Sequence, residues 1–545
     1  MSAATRSRIA ALGGLAAPAI GGGYSRPMPG AGYLRGPSGG NPLVIGPNPP
    51  LRDPRDDVRR SWVATTSRAI HAVHNSGWIT AIVDVIVSLV VGNGLIPNFK
   101  PDMAAFGWDA KTTSKWARMV EARFIGQYGK RPEMIDAGAR NTLADFQVAA
   151  VKQWLGTGET VVDYPRIRRD WGGSTSKVRL IPSHWLSQKT LVPNGLYQGV
   201  YLDPHGAAAG YEFDLKRPDS LLSTSVRKAA RDRYGRTITG HYFEGLAGQV
   251  RGMTVFAPIL RVLRDYDQLS GATLAAALLH AVFAATIESD YPTDAILAAL
   301  KDEDEHLIPG AQRDYSQAQN RFNDFMAQKI GWHSNVDIDL ANHGKIAHLM
   351  TGERLNLQGS KHPNSSYQPH ANFLLREIIR AAGAQFEDVT GDYSGMTHAT
   401  MKMATAKNWP LVLNRRNAIP ARMSQAIAEN WLEEEINYGR IPLPGGIDAF
   451  VANRAAICDI DWRGPPKPVP DELKAAKAHE TYRNMGVMSD EMICADLGVD
   501  HEEVYEARER EKKSREEKGI HGGVTNGGTD IDTLDDPQPQ AVPAN

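Results

Sequence analysis

Cysteine is nearly missing from this chain of 545 residues: only Cys458 and Cys494 are present. Neither has a second Cys or a His at zinc-binding spacing. That excludes a disulfide framework and a structural zinc site, and leaves two reduced, partly buried thiols as the expectation. Surplus charge is missing too, since 61 Lys and Arg face 62 Asp and Glu for a formal net charge of -1. A protein that grips DNA through its phosphates needs a cationic surplus. The balance therefore argues against a tight DNA binder, but not against a conduit along which DNA slides. Long apolar runs are absent. Residues 79–91 are apolar but include Asp84, and spanning a bilayer takes about 20 residues, so a buried helix is expected there and no membrane partner. Near the start, Arg6 and Arg8 precede an apolar stretch, but Gly13, Gly14 and Pro18 break it, so a secretory signal is not expected.

Catalytic patterns are scarce as well. His501-Glu502-Glu503 begins like a zincin helix but lacks the second His. Gly245, Gly248 and Gly252 lack the Lys-Ser/Thr pair of a phosphate-binding loop and read as a turn before a helix. Asp337 with Asp339, and Asp459 with Asp461, would each face one side of a strand. Two such carboxylates suit Mg²⁺-dependent nuclease chemistry, but no third ligand or basic cradle accompanies them, and solvated strand faces explain them. His343 and His348 show no partner pattern. No cofactor, metal or catalytic residue is expected.

What is present is a multi-domain, mainly helical α+β pattern. Residues 1–52 form a Gly/Pro-rich arm whose composition cannot bury a core. Amphipathic helices are expected over 57–74, 76–91, 108–128 and 141–155, the third with Trp116, Val120, Phe124 and Tyr128 on one stripe. Between 159 and 250 short strands are expected, at 161–164, 178–181 and 199–202. Inside this part, residues 216–236 carry seven Lys and Arg, among them Arg227, Lys228, Arg231 and Arg233. The stretch reads either as a solvated loop or short helix face, or as a contact surface for an acidic partner or DNA. The longest helical periodicity runs from 255 to 289 and is rich in Ala and Leu in its second half. Residues 291–350 read as a variable insertion followed by short strands, and 352–369 as a polar loop holding Ser360, Lys361, His362 and Asn364. Helices follow over 372–382 and 397–435, the latter broken at Pro410. Charged helices occupy 470–518, and 519–545 form a tail of disordered composition.

Between two of these helices lies Gly391-Asp392-Tyr393-Ser394-Gly395, a turn of Gly, Asp and Ser, with Thr397 placed to cap the next helix. The turn stands in order with other blocks. These are residues 68–97, ending Val-Gly-Asn-Gly-Leu-Ile-Pro; Gln249-Val250-Arg251-Gly252 with Pro258; Gly352-Glu353 through Ile378; and Asp461-Trp462-Arg463-Gly464 through Val504. Together the set resembles the lambda-type bacteriophage portal proteins, although Met396 to Thr400 replace the Asn-Tyr-Ser-Ser common in that family.

The resemblance implies a mainly helical portal fold with wing, stem, clip and crown regions that assembles as a ring, usually of twelve subunits, at one capsid vertex. Double-stranded DNA would pass through it without sequence specificity. Terminase large subunit, the major capsid or scaffolding protein and a head-completion adaptor would be partners, and assembly would occur in the host bacterial cytoplasm. On this basis 53–158 maps to the wing, 159–250 to a clip, 251–290 to a stem helix, 291–350 to an insertion with wing strands, 351–440 to channel-facing parts, and 441–518 to the crown. Arg227, Lys228, Arg231 and Arg233 become candidates for terminase or adaptor contact. Ser360, Lys361, His362 and Asn364 become candidates for the channel lining. A maturation protease would trim the arm before Arg55. Two alternatives remain at this stage: a metal-dependent DNA-processing enzyme of the packaging system, and the portal of a domesticated prophage or gene transfer particle.

Overall fold

The computed structural model describes residues 53–170, 172–216, 223–282, 285–289, 324, 327–328, 331, 353–357, 367–469, 471–499 and 501–518. Helix α1 (Pro54–Asn75) buries only Val58, Trp62, Thr66, Ala69 and Ala72, a stripe at helical spacing. A bend of 91° leads into α2 (Gly77–Val90). This is the apolar segment noted above, and it buries Ile79, Ile82, Val83, Ile86, Val87 and Val90, as a helix enclosed by others must. Among the described residues no single helix is long and apolar enough to cross a membrane. After strand β1 (Ile96–Phe99), α3 (Ala110–Phe124) starts where the Asp109 carboxylate accepts from the Thr112 amide, and runs into a π turn, Ile125–Gly129. Trp116, Val120, Phe124 and Tyr128 are all buried, as their spacing predicts. Helix α4 (Leu143–Thr157) starts on a Thr142/Asp145 capping box.

The strand-rich part holds β2 (Glu159–Asp163), β3 (Arg179–Ile181), β4 (Leu196–Tyr197), β5 (Val200–Leu202), β6 (Ala208–Lys216), β7 (Ser223–Ala229) and β8 (Thr239–Phe243). They form two antiparallel sheets, β3-β2-β8 and β4-β5-β6-β7. The three strands expected from sequence are present. The loop or short helix expected over 216–236 is not: its described part is β7, paired with β6 from Lys216↔Ser223 to Gly210↔Ala229, followed by a turn. The alternation was disguised because Lys228 points to the inner face of this strand, beside Val226 and Ala230, where a buried carboxylate receives it.

Next come α5 (Leu260–Val282), β9 (Ala285–Ser289), β10 (Glu353–Leu357) and α6 (Tyr367–Ala382). The single helix expected to Ser289 stops at Val282. Thr286 and Ile287 are β-branched and pair antiparallel with Asn356 and Leu355, so part of the expected polar loop is strand. Ile259, in the turn before α5, and Leu263, in its first turn, share the core with Ile378, Ile379 and Ala382, at the end of α6. The two helices therefore run side by side in opposite directions and leave the core together. From Arg264 to Ala277 no α5 residue is buried, and Leu274 is 63% exposed.

The second helical run is α7 (His398–Arg416), a π turn Asn417–Ala421, and α8 (Arg422–Asn437). The break expected at Pro410 falls instead at Pro420. The helix continues through Pro410, which is exposed, whereas Pro420 is buried inside the π turn. There the missing amide of Pro420 makes the wider turn the cheaper geometry. Strand β11 (Ile460–Arg463) pairs with β1 and closes the body. Asp459 and Asp461 are both exposed on one side of it, and Asp461 faces Arg463. The last helices are α9 (Glu472–Asn484), α10 (Asp490–Asp496) and α11 (His501–Glu517), and none contains a buried residue. Ion pairs tie them to the body: Lys100 to Glu491 at 3.2 Å, and Arg118 to Glu502 and Glu506.

Candidate functional site

The densest polar cluster is structural. Glu159, at the start of β2, and Arg251 are both fully buried. Arg251 Nη2 donates to Glu159 Oε1 at 2.6 Å and Nε lies 2.9 Å from both carboxylate oxygens. His241 Nε2 sits 2.9 Å from Glu159 Oε2, which also accepts from the Gly252 amide. The remaining Arg251 donors reach the Gln198 and Ser183 carbonyls, and the Trp62 ring stacks on the guanidinium at 4.4 Å. One ion pair thus joins α1, both sheets and the segment before α5. Burial by itself would raise the Glu159 pKa; the charges of Arg251 and His241 outweigh it and hold the group at about 2. The backbones touch here too. Gly158 has φ +87° and a Cβ on it would stand 2.1 Å from the Met253 carbonyl carbon, so glycine is required.

The basic hairpin holds one cation paired to a buried carboxylate and three exposed cations with ring or carbonyl contacts. Lys228 Nζ lies 2.5 Å from Asp163 Oδ2, and Arg179 shares that buried carboxylate at 2.7 Å. Arg227 lies over the Tyr201 ring at 4.0 Å, Arg231 donates to the Gly235 carbonyl, and Arg233 lies over Tyr234. Lys228 is therefore not available to a partner. Replacing it by Ala is expected to cost about 1–3 kcal/mol, because Asp163 would keep only Arg179. Urea unfolding measures this, and an unchanged midpoint would show that Arg179 alone suffices.

The Gly391 turn lies where the sequence put it, with one addition: residues Phe386–Thr390 form a helical turn of their own. Gly391 ends it at φ +70°. Asp392 Oδ1 accepts from the Ser394 amide and hydroxyl, at 3.1 and 2.6 Å, and these bonds hold its carboxyl below the usual range. Tyr393 reaches Asp388. Thr397 caps α7 through a box with Thr400. All five turn residues, Gly391 to Gly395, are exposed. These hydrogen bonds are local, and they fix the direction in which α7 leaves. Ser360, Lys361, His362 and Asn364, like Asp337, Asp339, His343 and His348, lie outside the described residues. Among the described residues no group of three or more His, Cys, Asp or Glu is placed to hold a metal ion. Cys458 is buried, which pushes its thiol up.

The family profile "Phage portal protein, lambda family" matches residues 44–416. That span takes in the first helices, both sheets, the projecting helices and the Gly391 turn. The chain belongs to this family of structural proteins, and its function is that of a phage portal, a virion component. It is 24% identical over 487 residues to the portal protein of Escherichia phage N15, covering 87% of this chain and 89% of that protein. It is also 24% identical over 483 residues to portal protein B of Escherichia phage lambda, covering 87% and 88%. Among solved structures, a chain in the neck of a native GTA particle, computed with C12 symmetry, is 13% identical with a TM-score of 0.44, over 84% of this chain and 97% of that one.

Proposed function

We propose that this chain closes into a twelve-membered ring at one capsid vertex, guides double-stranded DNA in and out without reading its sequence, and has no enzymatic activity of its own. The observation that carries the ring is the projecting pair α5 and α6. A 23-residue helix with no buried residue from Arg264 to Ala277 in the single chain needs neighbours to cover it. A closed ring supplies them through a heterologous contact, one face of each subunit meeting a different face of the next. The helices α9 to α11, equally without buried residues, suit a second tier of the same ring, the crown.

The helix pair is the stem in this reading. The clip is then assigned to its far end, where β9 and β10 pair, together with the residues between them. Residues 159–250, which share core with α1 and α4, hydrogen-bond to Gln153 of α4 and place Tyr197 under Arg55 of α1, fit the wing better than a clip. The near-neutral charge suits sliding, because tight phosphate binding would hold the DNA still. Arg227, Arg231 and Arg233 remain candidates for terminase or adaptor contact, with Lys228 removed from that set. Assembly would take place in the host cytoplasm, with capsid or scaffolding protein as a further partner. Negative-stain electron microscopy of the purified chain tests the proposal: rings with a central hole and no Mg²⁺-dependent DNA cleavage are expected. Compact monomers that cut DNA would overturn it.

A further inference from the structure

A groove of about 650 Å³ lies between α6, the Phe386–Thr390 turn and the start of α7. Its chemistry is twofold. Phe386, Ala399 and Met403 give it an apolar floor, and Met403 is 61% exposed although apolar. Arg376, Arg380 and Lys407 line it against one acid, Glu387, which leaves a cationic surplus. Arg376 lies over the Phe386 ring at 4.7 Å, while Arg380 and Lys407 are exposed. A methionine floor adapts to aliphatic side chains, and a cationic surplus selects an acidic ligand. The matching ligand is a short acidic peptide with aliphatic anchors.

The chain contains such a peptide beyond the described residues. Residues 519–545 hold no Lys or Arg, and within them Thr529-Asp530-Ile531-Asp532-Thr533-Leu534-Asp535-Asp536 combines four carboxylates with Ile531 and Leu534. Before it, residues 519–528 are half glycine. Together with Thr529 they make 11 residues beyond Lys518, which extended span at most about 40 Å.

We propose that residues 529–536 dock in this groove, with Ile531 and Leu534 on the Phe386/Met403 floor and the aspartates against Arg376, Arg380 and Lys407. A tail held there would tie the C-terminal end of a subunit to the segment that aims α7.

The test uses the chain truncated after Gly528 and a fluorescein-labelled peptide of residues 525–540. Anisotropy should show saturable, salt-sensitive binding. The double variant Arg380→Glu, Lys407→Glu should weaken it at least tenfold, and so should peptide changes Ile531→Ser with Leu534→Ser. Both residues are exposed, so the variant is expected to fold; Met403→Glu gives a second, independent disruption, and circular dichroism checks both. Absence of saturable binding, or binding indifferent to the groove variants, overturns the proposal. Tighter binding of a peptide covering 300–310 (Asp302 to Ile308) or 335–341 (Val336 to Leu340), two further acidic-aliphatic stretches, assigns the groove to that segment and overturns it as well. Ring formation by the truncated chain, seen by electron microscopy, keeps the portal reading separate from this outcome.

Discussion

Replacing Arg251 by Ala is expected to remove about 3–5 kcal/mol of stability, a large share of what a domain has. The substitution leaves Glu159 buried with His241 and one amide, and strips the Gln198 and Ser183 carbonyls of their donor. It also takes the guanidinium from under Trp62. Lys at this position restores a charge but not the fork that meets both carboxylate oxygens, so only partial recovery is expected. The pH dependence has a definite sign. The folded-state pKa of Glu159 is depressed to about 2 from 4.5. Its contribution is therefore complete above about 4.5 and is lost as pH falls toward 2. Urea unfolding midpoints measured from pH 7 down to 3 should fall more steeply for the parent chain than for the Glu159→Gln, Arg251→Met double variant, which has no charge to lose. Equal slopes would mean that the pair does not govern acid stability.

The same pair shows what the sequence concealed. Helix α3 was legible because Trp116, Val120, Phe124 and Tyr128 recur at four-residue steps, a signal carried entirely by neighbours in the chain. Glu159 and Arg251 are 92 residues apart, and only the fold makes them one unit. A carboxylate opening a run of Thr160, Val161 and Val162 was the single hint that a distant cation had to be found. Lys228 misled in the opposite sense: counted in a basic run, it looked available, while its inward position on β7 commits it to Asp163. Pro410 and Pro420 differ in the same way. Both remove an amide, but Pro420 is enclosed, where a lost bond has no water to replace it, and the helix breaks there. The Gly391 turn was readable in full, because its bonds are all local. The groove beneath it was not, since Arg380, Phe386 and Lys407 come from three separate elements.

Changing Leu274 to Glu is expected to abolish rings while leaving the subunit folded. In the single chain Leu274 is 63% exposed, so a carboxylate there stays solvated. Monomer stability should change by no more than about 0.5 kcal/mol. If α5 forms the wall of a ring, the position is covered at every contact, and an unpaired carboxylate buried there costs several kcal/mol. Symmetry multiplies the effect, because each subunit presents the substitution once and each closure needs every contact. At about 1.4 kcal/mol per tenfold, even a 3 kcal/mol loss weakens each contact more than a hundredfold. Light scattering should then report monomers, with thermal unfolding unchanged. Leu274→Ala, which removes bulk without adding charge, should leave rings that fall apart at lower protein concentration than the parent. Intact rings from the Glu variant would place α5 on an outer face, and the wall of the channel would have to be sought on α6, where Phe373 is 65% exposed on the partner helix.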